Sequence, residues 1–430
     1  MIKPKRIRPG RMIALSFVVT ILIGTGLLAL PFSRNPGVAM TLGDIIFTAT
    51  SAVCVNGLLT HSIADTFSVF GRIIIAVLIQ IGGLGVTAIG VGFISLTRQK
   101  VNLRERILIK ESLNYDTVHG IVGLIKSVLL VTVSIELIGT VLSMFVFTQQ
   151  FGFWDALGLS AFHAISAFNN AGFDLFGNTN SLEAFADNPY FLLVTSALII
   201  LGGLGFIVIR EVLGHRRNKR FSLHSKVVLT MTGSLLVIGT VHLYFAADLS
   251  WLHAFFYSVS ARTAGFTLGP MRDMTAAGVF FMMMLMFIGA APGSTGGGIK
   301  VTTLFTVMHA VFSAATNTTP SAFKRKLAPD IIYKSLLLTL ISSVVVIITT
   351  LILLSLEPEV GFFALLLESV SAFSTVGISM ELTDTLRFTS KFILVLVMYI
   401  GRLGPLFVAS LWVYKPASNV SYAPESLGIG

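Results

Sequence analysis

The sequence predicts an all-α polytopic membrane protein of eight spans, arranged as four pseudo-repeats of helix, re-entrant short helix and loop, helix around one central axis. Three observations carry that prediction. Charged residues are only 12% of the 430 positions and apolar types 54%, with a mean hydropathy of +0.87, whereas about a quarter charged is usual for a globular chain. Apolar runs of bilayer length recur along the whole chain. A small-residue loop recurs four times between them, in one register.

About 20 apolar residues cross a bilayer as a helix, and such runs lie at about 12–31, 70–97, 121–147, 190–210, 226–247, 331–356 and 391–414. An eighth, about 276–316, is too long for one helix and is interrupted by glycines. The four repeats then cover 12–97, 121–213, 226–316 and 331–414, with tails 1–11 and 415–430. The first run follows Lys3, Lys5, Arg6, Arg8 and Arg11 and has no small-residue cleavage site behind a short apolar core, so it is read as a retained helix, not a removed signal peptide.

Twenty-three of the 30 Lys and Arg fall on the N-terminal tail, on 98–126, 210–226 and 300–334, and at Lys415. The positive-inside rule puts both termini in the cytoplasm of a multi-pass plasma-membrane protein. Thirteen of the 20 acids fall on the opposite segments, among them Asp44, Asp65, Asp174, Glu183, Glu357, Glu381 and Asp384. An acidic outer mouth would concentrate cations, although solvated loops are also acidic for no special reason. The net charge of +10 is therefore a topology signal and not a nucleic-acid surface, and the composition excludes a cytosolic enzyme and a disordered chain as well. The lone Cys54 allows no internal disulfide, the 8 His have no metal-ligand spacing, and no nucleophile set is visible. Gly293-Ser-Thr-Gly-Gly-Gly298-Ile299-Lys300 is close to a phosphate-binding loop but has Ile where that motif needs Lys. An enzyme is not expected.

The recurring loops read Ser51-Ala-Val-Cys-Val-Asn-Gly57, Ser166-Ala-Phe-Asn-Asn-Ala-Gly172, Ser260-Ala-Arg-Thr-Ala-Gly265 and Ser371-Ala-Phe-Ser-Thr-Val-Gly377, the third one residue shorter. Their glycines are 115, 93 and 112 residues apart. The even spans also echo one another as Ile81-Gly-Gly-Leu-Gly85, Leu201-Gly-Gly-Leu-Gly205 and Ile400-Gly-Arg-Leu-Gly404, while the third copy has Ile288-Gly-Ala-Ala-Pro-Gly293 and the glycine run to Gly298. Taken singly, each loop reads as helix-turn punctuation, with Asn169 and Asn170 chosen for turn geometry. Recurrence in register argues for more. Irregular backbone at membrane depth survives only where protein or a water-filled cavity satisfies its peptide groups. Four such loops need a common polar axis, and around it backbone carbonyls can replace the hydration shell of an alkali cation. Glycine suits the positive φ that such a turn requires, and each short helix ends there with a partly negative carbonyl terminus.

The residues resemble the Trk/Ktr/HKT superfamily of potassium transporters over about 12–414, most specifically in Ser166–Phe173, Arg262–Phe266, Pro292–Lys300 and Gly401–Pro405. Within it the chain looks like a Ktr-type membrane subunit, because only a short basic tail precedes the first span. The resemblance implies one central pore per subunit whose filter is made by Cys54, Val55, Asn56 and Gly57; Asn169, Asn170, Ala171 and Gly172; Arg262, Thr263, Ala264 and Gly265; and Ser374, Thr375, Val376 and Gly377. It implies a gate of Gly289, Pro292, Gly293, Ser294, Thr295, Gly296, Gly297, Gly298 and Lys300, with Arg402 projecting into the pore. Serine at the first filter glycine marks sodium-permeable plant relatives, so Gly57 favours potassium. Cys54 and Asn56 stand where relatives often have threonine. The resemblance also implies a bacterial homodimer on a cytosolic ring of RCK-type (KtrA-like) regulatory subunits, with ATP or ADP bound on that ring, modulation by sodium, and no cofactor in this chain beyond the transported K⁺.

Some assignments stay open at this stage. Arg402 either faces the pore or pairs with helix-end carbonyls or an acid. Arg262 is expected to brace its loop against Glu368 or another acid, and Glu136 to be a buried hydrogen-bonding partner. The basic run Arg216-Arg217-Asn218-Lys219-Arg220 either docks the regulatory ring or contacts anionic lipid. The rival function is an alternating-access cation symporter with inverted repeats, which would place equivalent loops on opposite faces.

Overall fold

A computed structural model of the chain describes residues 9–86, 88–90, 106–107, 120–177, 181–214, 220–405 and 407–408. The C-terminal tail, most of the N-terminal tail, the repeat boundaries at 97 and 414 and the run 216–219 lie outside these described residues. The protein is an all-α polytopic membrane protein; a two-residue hairpin pairing Ser321–Ala322 with Arg325–Lys326 is its one small sheet among the described residues.

The first repeat contains α1 (Pro9–Leu28), α2 (Leu42–Cys54) and α3 (Val69–Leu84). The second contains α4 (Ile121–Phe147), α5 (Phe153–Phe168), α6 (Pro189–Leu204) and α7 (Phe206–Leu213). The third contains α8 (Leu223–Ala246), α9 (Trp251–Ser260), α10 (Ala276–Phe287) and α11 (Val301–Ala315). The fourth contains α12 (Pro329–Leu356), α13 (Phe362–Ser374) and α14 (Phe388–Leu403). The opening helices α1, α4, α8 and α12 are apolar and long enough to cross a membrane. Each leaves large apolar side chains exposed, such as Leu22, Leu130, Phe245 and Leu340. That is the face a bilayer covers. The short helices α2, α5, α9 and α13 are mostly buried at their C-terminal halves. Thr41 and Ser250 cap two of them by accepting from the Asp44 and His253 amides.

The closing helices depart from expectation. The sequence reading takes 70–97, 190–210 and 391–414 as continuous spans, but α3, α6 and α14 stop after 16 residues each. Gly85, Gly205 and Gly404 follow them with φ of 87°, 85° and 92°, and a left-handed residue ends the helical hydrogen-bond ladder. At Gly205 the chain turns by 104° into α7. The last glycine of the repeated Gly-Gly-Leu-Gly pattern is thus a breaker. The pattern's first glycine has a second role: a Cβ on Gly82, Gly202 or Gly401 would collide with the Val53, Phe168 or Phe373 carbonyl at the end of the neighbouring short helix. The closing helix therefore lies directly on the carbonyl terminus of the short one.

Gly202→Ala is expected to cost about 1–3 kcal/mol, because the obstacle is backbone that cannot rotate away. Gly233→Ala, where an added methyl meets nothing within 4 Å, is the matched control. Thermal unfolding of the purified variants in detergent, with only the first lowered, is the expected result.

Candidate functional site

The four loops converge. A Cβ on Gly57 would sit 2.7 Å from the Ala171 carbonyl, with the Cα atoms of Gly377 and Gly172 at 3.3 and 3.4 Å. One on Gly172 would meet the Ala264 carbonyl at 2.6 Å and the Gly265 Cα at 3.1 Å. Gly265 abuts the Val376 carbonyl, and Gly377 abuts the Asn56 carbonyl and the Gly57 Cα. The four glycines thus close a ring in chain order, each against a carbonyl of the next or previous loop. No side chain fits between them.

The backbone of each loop has the same alternation. Positive φ falls at Val55 and Gly57, at Asn170 and Gly172, at Thr263 and Gly265, and at Thr375 and Gly377. In an ordinary strand successive carbonyls face opposite ways; inverting φ at every second residue turns them to one side. The third loop, although one residue shorter, reaches the same result by letting the Ser260 carbonyl accept from both the Ala264 and Gly265 amides, at 2.9 and 3.3 Å. Cys54 ends α2, Ser374 ends α13, and both are fully buried.

Serines that begin each motif hold the turns closed. The Ser51 and Ser371 hydroxyls accept from the Gly57 and Gly377 amides at 3.1 and 3.0 Å, and Ser166 accepts from Phe173 at 2.9 Å. Ser260 instead donates to the Phe266 carbonyl at 2.5 Å. These roles were not assigned from the sequence, although the recurrent Ser-Ala was the available signal. The asparagines do more than turn. Asn56 donates to the Ser371 and Ala372 carbonyls at 3.1 Å, tying the first loop to the fourth short helix. The Asn170 amide contacts Thr263 at 3.2 Å and Thr295 at 3.3 Å. Asn169 donates to Gln80 at 2.8 Å and to the Glu136 carboxylate at 3.0 Å, and Gln80 donates to the same carboxylate at 3.2 Å. Glu136 is therefore a buried hydrogen-bonding partner that fixes the start of the second loop. Gln80 went unnoticed in the sequence.

Arg262 corrects an expectation. It does not meet Glu368: its guanidinium donates to the Thr232 carbonyl and hydroxyl on α8, both at 3.4 Å. Glu368 accepts instead from Ser379 and, at 3.2 Å, from Thr383, locking the segment after the fourth loop. The aliphatic stem of Arg262, two residues past the end of α9, reaches to α8, so the guanidinium lies behind its loop.

Above the ring a cavity of about 130 Å³ is lined by Gly57, Gly172, Gly265 and Gly377 together with Asp174, Glu183, Glu381 and Asp384. No Lys or Arg is among its described lining residues, and Arg272 reaches Glu381 from outside the lining at 3.4 Å. Below the ring lies the segment between α10 and α11. Its Gly289 amide donates to the Ile299 carbonyl at 2.7 Å, closing it into a loop. A Cβ on Gly296 or Gly297 would strike the hydroxyl of Thr263 or Thr375 in the third and fourth loops, and Thr295 donates to the Phe168 carbonyl at 3.3 Å. Gly293 and Gly298 take φ of 69° and 67°. The Pro292 carbonyl would lie 2.8 Å from a Cβ on Gly205, and Ser294 donates to the Ala291 carbonyl at 2.6 Å. Lys300 turns back to donate to the Gly296 and Gly297 carbonyls at 2.6 and 3.2 Å. Arg402 comes from the opposite side, donating to the Thr295 carbonyl and to the Gly82 and Gly83 carbonyls, the last at 3.1 Å. Its described hydrogen bonds thus go to carbonyls near the end of α3 and to a carbonyl of the loop itself.

Glu136→Leu removes the acceptor of the Gln80 amide and one of three acceptors of the Asn169 amide and is expected to cost roughly 1–3 kcal/mol, whereas Glu136→Gln keeps an acceptor and loses less. The thermal midpoints of the two variants in detergent, ranked parent, Gln, Leu, check this.

Comparison with known proteins agrees with this architecture. The family model described as "Cation transport protein" (TrkH) matches residues 12–420. The chain is 39% identical to the potassium/sodium uptake protein NtpJ of Enterococcus hirae over 99% of its own length and 98% of the relative's. It is 36% identical to the Ktr system potassium uptake protein B of Bacillus subtilis, over 98% and 96%. Its fold resembles the potassium transporter TrkH of Vibrio parahaemolyticus with a TM-score of 0.75 at 16% identity, over 96% of this chain and 86% of that one. The chain belongs to the TrkH family of cation transport proteins, with full-length kinship to its Ktr-system potassium uptake members.

Proposed function

We propose that the protein carries potassium inward through a single channel-like pore in each subunit, with both termini in the cytoplasm of a bacterial plasma membrane. The observation that carries this reading is the ring of Gly57, Gly172, Gly265 and Gly377 on alternating left-handed backbone. Carbonyls turned to one side of four loops offer a dehydrated K⁺ the oxygens it loses from water. The carboxylates Asp174, Glu183, Glu381 and Asp384 at the mouth raise the local cation concentration. All four glycines meet at one level, which favours this reading over an alternating-access symporter with loops on opposite faces.

The loop from Gly289 to Gly298, pinned by Lys300 and Arg402, is the gate in this reading. It obstructs the axis sterically and holds two cations beneath the filter, which repel an approaching K⁺ in a low-dielectric site. Opening requires the loop to leave Thr263, Thr375 and Asn170 and Arg402 to exchange its carbonyl partners for water. Names of the relatives, a potassium/sodium uptake protein and a Ktr-system subunit, support a role for sodium and for partner subunits here. We extend this to a homodimer seated on a cytosolic RCK-type ring that binds ATP or ADP.

Complementation of a potassium-uptake-deficient bacterial strain, with and without the regulatory subunit, tests the proposal. Gly172→Ser or Gly377→Ser is expected to lower potassium-over-sodium preference about tenfold, equivalent to roughly 1.4 kcal/mol; an unchanged uptake ratio counts against the filter. Arg402→Ala, or a deletion within Gly293–Gly298, is expected to raise flux in the absence of the regulatory subunit, and parental flux in both removes the loop from the gate.

A further inference from the structure

A larger cavity, of about 1160 Å³, lies apart from the ring, between the end of α7, the start of α8 and the small hairpin. Arg210, Arg220, Lys226, Arg325 and Lys326 line it. The one carboxylate among its lining residues, Glu211, is occupied: it accepts from the Ser222 amide and hydroxyl, both at 3.0 Å. The ion pairs among the described residues lie elsewhere, at Arg272, Arg387 and Lys391. Five cations therefore share a cavity with a single carboxylate among its described lining residues, an excess of positive charge that favours an anionic ligand.

The walls say what kind. Leu124, Ile207 and Phe323 also line the cavity, and Lys226 lies over the Phe323 ring at 5.9 Å. Because α7 turns 104° from α6, it runs along the membrane plane when α6 crosses it. Val212 and Leu213 on α7 are exposed beside Arg210, as in a helix lying at the headgroup boundary. A purely soluble anion would find no use for an apolar wall at that depth. An anionic phospholipid satisfies both halves, its phosphate on the guanidinium and ammonium groups and its acyl chains on the apolar side.

We propose that this cavity is a binding site for an anionic phospholipid. The site is one short helix from the loop below the ring: the Phe206 amide at the start of α7 donates to the Gly293 carbonyl at 3.0 Å, and Arg210 follows one turn later. Lipid held at Arg210 therefore steadies the helix against which that loop rests. The choice of the inner leaflet follows from the orientation proposed above; the lipid preference does not.

Full-length protein, delipidated in a neutral detergent, is titrated with phosphatidylglycerol or phosphatidylcholine, and bound lipid is counted by native mass spectrometry. This readout is independent of transport and of orientation. Phosphatidylglycerol is expected to be retained in preference, and Arg325→Gln/Lys326→Gln to weaken its retention roughly tenfold or more. Both residues are exposed on a hairpin strand, so the variant keeps its fold. Equal retention of the two lipids, or equal retention by parent and variant, overturns the proposal. So does capture of a polyglutamate peptide, or of inorganic phosphate, with no retention of phosphatidylglycerol.

Discussion

The constraint that governs this protein is that a peptide group at membrane depth, once out of a helix, must find a partner inside the protein. Interruptions by four loops and by the breaks after α3, α6, α10 and α14 create dozens of such groups. The N–H groups are met by hydroxyls placed for them, as Ser51 serves Gly57 and Ser371 serves Gly377. Carbonyls below the ring are met by cations, Arg402 on Thr295, Gly82 and Gly83, and Lys300 on Gly296 and Gly297. Carbonyls that the alternating backbone turns toward one side of the loops are the ones left, in the proposed reading, for a permeant ion. Structure and transport are in this sense one hydrogen-bond account: what the protein satisfies internally makes the scaffold, and what it leaves makes the proposed binding sites.

The sequence disclosed the convergent glycines because their chemistry is local. A positive φ after a short helix needs glycine or a tolerant residue, and recurrence in register exposed the need at Gly57, Gly172, Gly265 and Gly377. Local chemistry also marked the loop after α10. Partners across long separations were not legible. Arg262 was assigned an acid, since a buried guanidinium ordinarily seeks one, but Thr232 on α8 is the residue its stem reaches. Gln80, Glu136 and Asn169 come from three helices in two repeats, and no spacing rule links them. Gly85, Gly205 and Gly404 were in plain view as a motif. They were read within continuous spans, and the motif in fact does two things: Gly202 approaches the Phe168 carbonyl and Gly205 ends the helix.

Charge is distributed along the axis as well as across the membrane. Acidic groups surround the upper cavity at Asp174 and Asp384, while Lys300 and Arg402 lie beneath the ring on the loop's own carbonyls. In the proposed reading, a cation entering from the acidic side gains favourable potential, then meets a barrier that is partly electrostatic and therefore removable by small movement. Displacing one guanidinium by a few ångströms, or admitting water around it, changes that barrier steeply because interaction strength varies with both distance and effective dielectric. Such a gate needs no large rearrangement of packed helices.

Fusing four units in one chain explains why the proposed gate is present in one copy. Three closing helices break at a single left-handed glycine and continue or end, but the third breaks over residues 288–300. That longer segment contacts Gly202 and Gly203 from the second repeat, Thr263 from its own, and Thr375 and Arg402 from the fourth. Space directly below one axis admits one such loop, since a symmetric set of four would collide there as closely packed atoms. A homotetramer of identical subunits could not lengthen the break in one without lengthening it in all. Internal repetition removes that restriction, so the ring can stay nearly fourfold where four equivalent carbonyl sets are useful while a single repeat diverges to fill the space beneath it.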